Sequence, residues 1–256
     1  MLKKKKVIII SIVITLIVII AVVATIFIIR KGKKTENKSN QEVANIDKAK
    51  LEMEFKKEFL NEETEYVEIR QKIEQSKVGT YDVKAIIPKI TIEKEEANKI
   101  NKEIYKLAAD IINQGARAEK YAKYNMEYTS FINNNILSLV IRFTVKEGDN
   151  PRRIIIKTYN YDIEKDKRIE LADIIDSEQE NKIQNEINKK IEESNAKAEQ
   201  SINKGYNAYI RDAESSIYKI KNATEFFIGE DNILYIIYAY GNQEYTEQMD
   251  LIIYKL

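Results

Sequence analysis

Four side chains near the C-terminus, Tyr240, Asn242, Gln243 and Tyr245, put ring faces beside amide groups at loop-like spacing. They fall in the stretch Tyr238-Ala239-Tyr240-Gly241-Asn242-Gln243-Glu244-Tyr245, which leaves an apolar run and enters a polar loop before a last strand. Loops carried by a rigid sheet are where binding side chains concentrate. An exposed Tyr beside Asn and Gln suits the gripping of a sugar or a protein surface. The same residue type has a plainer use, since an apolar body with a polar tip fits a sheet position. Tyr124, Tyr128, Tyr159, Tyr161 and Tyr235 are assigned to that use, among 16 Tyr and 7 Phe in a chain with no Trp.

Other chemistries are constrained by what is missing. The 256 residues include no Cys and no His, which removes disulfides, thiolate nucleophiles, imidazole acid–base pairs and His-containing zinc sites. The shortage of Cys, His and Trp beside abundant Ile, Lys and Asn also fits a compositional bias, and the exclusions hold whatever its origin. Carboxylates, Lys, Tyr and Ser remain. Two acids suffice for a glycosidase, but 41 acids offer countless pairs. Most sit in helical i, i+4 patterns with Lys, such as Glu95–Lys99 and Glu186–Lys190, and read as solvated faces. No G-x-G-x-x-G, G-x-x-x-x-G-K-[ST] or D-x-D-x-D-G pattern is present. No catalytic residue, metal site, cofactor or nucleotide is therefore expected.

The elements that must carry these residues begin with an apolar run. Val7 to Ile29 holds no charge, and at ~1.5 Å per residue it reaches about 35 Å, enough to span a hydrocarbon core. It has no polar face, so it reads as an uncleaved membrane-spanning signal anchor. A cleaved signal peptide is the alternative, and the continuation past Ala24 through Ile29 weighs against it. Lys3 to Lys6 precede the run and Arg30, Lys31, Lys33 and Lys34 follow it, a near tie under the positive-inside rule. The chain has 42 basic and 41 acidic residues, and eight of the basic ones lie in residues 1–34 with no acid. Residues 35–256 are left with 34 against 41, a net charge of −7, which repels nucleic acid.

Residues 1–6 read as a cytoplasmic tail, 7–29 as the transmembrane helix, 30–63 as a linker and 64–256 as an extracytoplasmic α+β domain, with a subdivision near 165 as an option. In the linker, Ser39 and Glu42 have capping-box spacing ahead of a helix over about 41–60. The domain opens with strands at Tyr66–Ile73 and Tyr81–Ile87, the second ended by Pro88. Ala97, Ile100, Ile104, Leu107 and Ile111 then form a helical stripe closed by Gly115 as a C-cap. Strands over Tyr121–Phe131, Ile136–Val145 and Arg153–Tyr161 form an antiparallel meander through tight turns. Ser177 with Glu180 caps a helix whose Ile183, Ile187 and Ile191 face one way. A hairpin of Phe226–Ile228 with Ile233–Tyr240 and a strand at Asp250–Tyr254 complete an antiparallel sheet with helices packed on it. Ile233–Tyr240 is apolar on both alternating faces, which predicts an interior strand.

Several stretches carry a resemblance in this order: Tyr81-Asp82-Val83 with Ile87-Pro88, Ile100-Asn101, Leu137-Ser138-Leu139-Val140, Thr158-Tyr159-Asn160-Tyr161-Asp162, Lys167 to Ile174, and the hairpin from Phe226 to Tyr240. Together they resemble the extracytoplasmic domain of unknown function shared by the lysozyme-sensing anti-sigma-V factor of Gram-positive bacteria and some membrane-anchored peptidoglycan deacetylases. The resemblance implies an ectodomain that clasps lysozyme or contacts peptidoglycan. The sequence departs from it at Ala239, where Pro is usual, at Gly241, where an acid is usual, and in lacking a Gly shortly after Pro88. Six residues before the apolar run are too few for an anti-sigma domain, and no deacetylase domain follows. The expectation is a non-enzymatic, single-pass envelope protein that binds lysozyme or peptidoglycan through Tyr240, Asn242, Gln243 and Tyr245. A carboxylate-dependent wall hydrolase and a structural assembly partner are the alternatives.

Overall fold

The structure is a computed structural model that describes residues 47–56, 59–117, 121–241 and 248–256. The expected membrane segment 7–29, its flanking tail and tether, and the Ser39–Glu42 box lie outside these residues. Among the described residues no helix is long and apolar enough to cross a membrane. Contacts divide the chain into two compact units, residues 1–51 and 52–256. Helix α1 (Lys48–Lys56) begins with Asp47 accepting from the Lys50 amide at 3.0 Å, and its residues from Glu52 onward belong to the second unit. The helix expected over 41–60 thus stops short of Phe59. All that follows concerns the second unit.

Its larger sheet has six strands in sequence order: β1 (Val67–Lys77), β2 (Tyr81–Ile90), β3 (Ala122–Asn133), β4 (Ile136–Glu147), β5 (Arg153–Asp162) and β6 (Lys167–Arg168). Neighbours pair antiparallel except β2 and β3, which run parallel. The wholly antiparallel sheet expected from the sequence is therefore corrected at this pair. Helix α2 (Glu95–Ala116) carries the chain from the end of β2 back to the start of β3, and such a crossover returns the strand in the same direction. The meander β3–β4–β5 keeps short turns and antiparallel register. Strand β2 also continues through Pro88 to Ile90, where the sequence placed an end. Its register with β1 shifts between Ile69 and Gln71, opposite Pro88 and Ile87, so the residue without an N–H sits at a bulge.

Ala97, Ile100, Ile104 and Ala108 form the buried stripe of α2 and share a core with Val83, Ile87, Met126 and Tyr128 of the sheet. Gly115 lies inside the last turn of α2 rather than capping it. Asn101 clamps the end of β2, accepting from the Ile90 amide and donating to its carbonyl, both at 2.8 Å. The start of α2 is capped from a distant loop. Asp166 accepts from the Glu95 and Glu96 amides at 3.1 and 3.2 Å and from the Tyr161 hydroxyl at 2.8 Å. Burial alone would raise the Asp166 carboxyl, but these donors hold it below the ordinary carboxylate range.

The smaller sheet is β7 (Glu225–Ile228), β8 (Ile233–Ala239) and β9 (Met249–Lys255), all antiparallel. Strand β8 is central, and Ile233 through Tyr238 are all buried. Helix α3 (Ser177–Asn203) covers one face, its Ile183, Ile187 and Ile191 sharing a core with Leu234, Ile236, Tyr238 and Ile252. On the other face Phe227 stacks on Tyr235 at 4.4 Å, on Phe131 at 5.3 Å and on Phe55 of α1 at 5.6 Å. The cap of α3 is Asp176 with Gln179, one residue earlier than the Ser177–Glu180 box the sequence offered. The two boxes overlap, and it is the Asp176 carboxylate that accepts from the Gln179 amide, at 2.8 Å.

Side chains of the larger sheet stitch the two sheets together. On β7, the Phe226 amide donates to Thr158 Oγ1 at 3.1 Å and its carbonyl accepts from Asn160 Nδ2 at 2.7 Å. The Ile228 amide donates to Ser138 Oγ at 3.1 Å and its carbonyl accepts from Asn133 Nδ2 at 3.2 Å. Ser138 in turn donates to Asn160 Oδ1 at 2.7 Å. Glu225 adds the Thr158 amide at 2.8 Å and an ion pair with Lys157. A strand edge that would otherwise carry unpaired backbone groups is satisfied by side chains.

Candidate functional site

Past the end of β8 the strand opens onto a cleft of about 420 Å³. One wall is a single face of α3, where Lys190, Ser194, Lys197 and Ser201 follow one another at helical spacing. The opposite wall is Tyr209 from the loop after α3, Tyr240, and Asp250 at the start of β9. Of the four residues picked from the sequence, Tyr240 lines this cleft. Asn242, Gln243 and Tyr245 lie outside the described residues.

Tyr240 is held from several sides. Its hydroxyl shares a 3.0 Å hydrogen bond with Ser194 Oγ, and its carbonyl accepts from the Tyr218 hydroxyl at 2.8 Å. Beneath its ring, at 4.4 Å from the centroid, lies the Arg211 guanidinium, which also faces the Tyr218 ring at 4.7 Å. The Tyr209 ring lies 6.1 Å away at 51°, its hydroxyl donating to the Gly241 carbonyl at 3.0 Å. Gly241 has φ +87°, and a Cβ there would stand 2.6 Å from the Tyr218 hydroxyl. Only glycine fits that bend.

Arg211 is 2 % exposed, which makes it the anchor of the site. Its backbone is clamped by Asn195, which accepts from the Arg211 amide at 2.8 Å and donates to its carbonyl at 2.9 Å. Its Nε donates to the Tyr218 hydroxyl at 3.1 Å, and Nη1 pairs with Asp250 Oδ2. Nη2 and the neighbouring Tyr238 hydroxyl make no hydrogen bond among the described residues. Burial pushes the Tyr218 phenol up, against the pull of Arg211. Burial and then the Asp250 carboxylate push Tyr238 up further. Both phenols are therefore neutral in the physiological range.

The charges around the cleft are mostly committed. Lys190 donates to the Leu251 carbonyl at 2.7 Å and lies 3.7 Å from Glu52. Glu193 lies 3.8 Å from Lys189, and Asp250 is taken by Arg211. Lys197 forms no ion pair among the described residues. Among those residues no group of three or more acidic side chains is placed to hold a metal ion.

Ser194, Lys197, Tyr209, Arg211 and Asp250 were not picked out from the sequence. The two on α3 sit among the polar positions that alternate with its isoleucine stripe, indistinguishable from solvated ones. Tyr209 and Arg211 belong to an irregular segment without period, and only an aromatic two residues from a cation hinted at pairing. The five tyrosines assigned to sheet positions are buried there. Three of their hydroxyls are bonded within the protein: Tyr128 donates to the Glu62 carbonyl at 3.0 Å, Tyr161 to Asp166 at 2.8 Å, and Tyr124 pairs with Glu147.

No protein-family model matches the sequence, and no curated protein matches it. Among solved structures the fold is similar to a DUF3298 family protein from Pseudomonas aeruginosa, with a TM-score of 0.51 at 13 % identity over 74 % of this chain and 89 % of that one. A DUF3298 family member from Bacteroides fragilis aligns with a TM-score of 0.40 at 11 % identity over 74 % of this chain and 90 % of that one. The first of these likenesses establishes a shared fold with a domain family of unknown function.

Proposed function

We propose that this chain is a binding module held at the outer face of a cell membrane by residues 7–29, and that it acts by holding a ligand rather than transforming one. The observation that supports binding is the cleft, where ring, hydroxyl and carboxylate groups are all fixed by internal bonds before any ligand arrives. The net charge of −7 on residues 35–256 favours a cationic partner and speeds its encounter. With the resemblance described above, it points to a lysozyme-type muramidase or to peptidoglycan itself. Tyr240 is the proposed contact within the cleft, joined by Asn242, Gln243 and Tyr245 on the segment that follows.

The test uses the full chain in detergent micelles. It is incubated at low salt with immobilised cationic lysozyme and, separately, sedimented with purified cell wall. Retention on either supports the reading, with Tyr240→Ala retained less than wild type. Failure on both sinks it. Glu193 and Asp250 both border the cleft, which keeps a carboxylate-dependent wall hydrolase as the second reading. Release of soluble muropeptides from the same wall preparation would favour that alternative.

A further inference from the structure

The chemistry of the cleft says what class of ligand fits it, and this step rests on the binding function just proposed. Three backbone acceptors beside the cleft are already used. The Tyr240 carbonyl takes the Tyr218 hydroxyl, the Gly241 carbonyl takes Tyr209, and the Leu251 carbonyl takes Lys190. A peptide docking as an added strand needs such groups open, and the groups the cleft mainly offers an incoming ligand are side chains. Those side chains are two tyrosine rings, the Ser194 and Ser201 hydroxyls, and the Asp250 carboxylate. Ring faces match the apolar C–H face of a pyranose, while hydroxyls and a carboxylate match its rim of hydroxyl groups.

The charge balance refines the class. Glu193, Lys190 and Asp250 each have a counter-charge nearby, whereas Lys197 stands at the cleft without an ion pair among the described residues. One uncompensated ammonium on the wall selects a ligand with a localised negative group. A polyanion is disfavoured by the acidic domain around it. The rings are also fixed in advance. Tyr240 is pinned by Ser194 and seated on Arg211, and Tyr209 is tied to Gly241, so little ordering is left for the binding step.

We infer that the cleft between α3 and the β8–β9 end binds a saccharide bearing a carboxylate, with Tyr209 and Tyr240 as the stacking wall, Asp250 and Ser194 engaging hydroxyls, and Lys197 pairing with the carboxylate. Muramic acid and uronic acids are two sources of this chemistry.

The full chain in micelles is titrated with a muramic-acid-containing disaccharide, a disaccharide carrying one galacturonate and a neutral N-acetylglucosamine disaccharide. Tyrosine fluorescence, undisturbed by any Trp, reports binding. Saturable binding of at least one acidic saccharide, about tenfold or more tighter than the neutral one, is expected. The acidic ligand that binds identifies the source. Lys197→Gln should remove most of that preference, and Tyr209→Ala should weaken acidic and neutral ligands alike by about tenfold. Circular dichroism checks that each variant is folded, and the exposed Lys197→Gln decides if Tyr209→Ala is not. Equal affinity for acidic and neutral disaccharides, no binding of any, or an unchanged preference in Lys197→Gln overturns the inference. If lysozyme or wall retention persists while soluble saccharides fail, only the ligand class is wrong. If both fail, the binding function falls with it.

Discussion

Arg211 shows how a single buried charge is made tolerable. It sits between two tyrosine rings, and its guanidinium spends one nitrogen on a phenol and another on Asp250. Removing the partner leaves the cation buried, so Asp250→Ala should cost about 3–5 kcal/mol in urea unfolding. Replacing both in Arg211→Met/Asp250→Leu should recover much of that loss, and a double variant as unstable as Asp250→Ala would refute this account. The buried phenols make a second prediction at this scale. Burial first, then the Glu63 and Glu62 carboxylates, pushes Tyr128 up to about 12, and burial first does the same for Tyr159 and Tyr235. A phenol raised in the folded state stabilises the fold below its unfolded value of 10.0, and that contribution is lost as pH rises towards 12. Thermal melts should therefore drop steeply between pH 10 and 12. A melting temperature unchanged across that range would contradict it.

At the level of elements, distant side chains finish what local sequence leaves open. Asp166 caps α2 from 70 residues further along the chain. Its carboxyl is held below the ordinary value of 3.8, so its contribution is present above that pH and lost as the pH falls through the lower folded value. Asp166→Asn should lower the melting temperature at neutral pH, and the difference from wild type should shrink in acid. A constant difference would mean that charge is not the cause. The seam between the sheets is open to a similar test. Asn160→Ala strips partners from both the Phe226 carbonyl and Ser138, and should cost about 1–3 kcal/mol by chemical denaturation.

These residues also mark what sequence reading could reach. The stripes on α2 and α3, the meander and the two-faced burial of β8 follow from periodicity, and they appear where expected. The parallel β2–β3 pair does not follow, because strand direction is decided by where a helix crosses rather than by either strand. Thr158, Asn160 and Ser138 stood in the stretches that carried the resemblance, yet their task in this fold is to satisfy β7. Of the cleft, Tyr240 was legible because it ends a buried strand before a polar loop. Arg211 was not, since its partners come from α3, β9 and the loop between them and meet only in three dimensions.

For the molecule as a whole, the proposed anchor predicts a distribution. The full chain should sediment with membranes and resist alkaline extraction, and protease added to intact cells should digest it beyond residue 30. Protection of the entire chain would place it on the other side. The stitched edge of β7 has a further consequence for how the second unit breathes. Alternate backbone groups of one sheet end on side chains of the other, so neither layer can peel away without breaking both. The amides of Phe226 and Ile228 should then surrender their protons to deuterium only when the whole unit opens, as slowly as those at the centre of β4. A loose hairpin riding on an independent sheet would exchange far sooner, and the two sheets would reveal themselves as separate cooperative units.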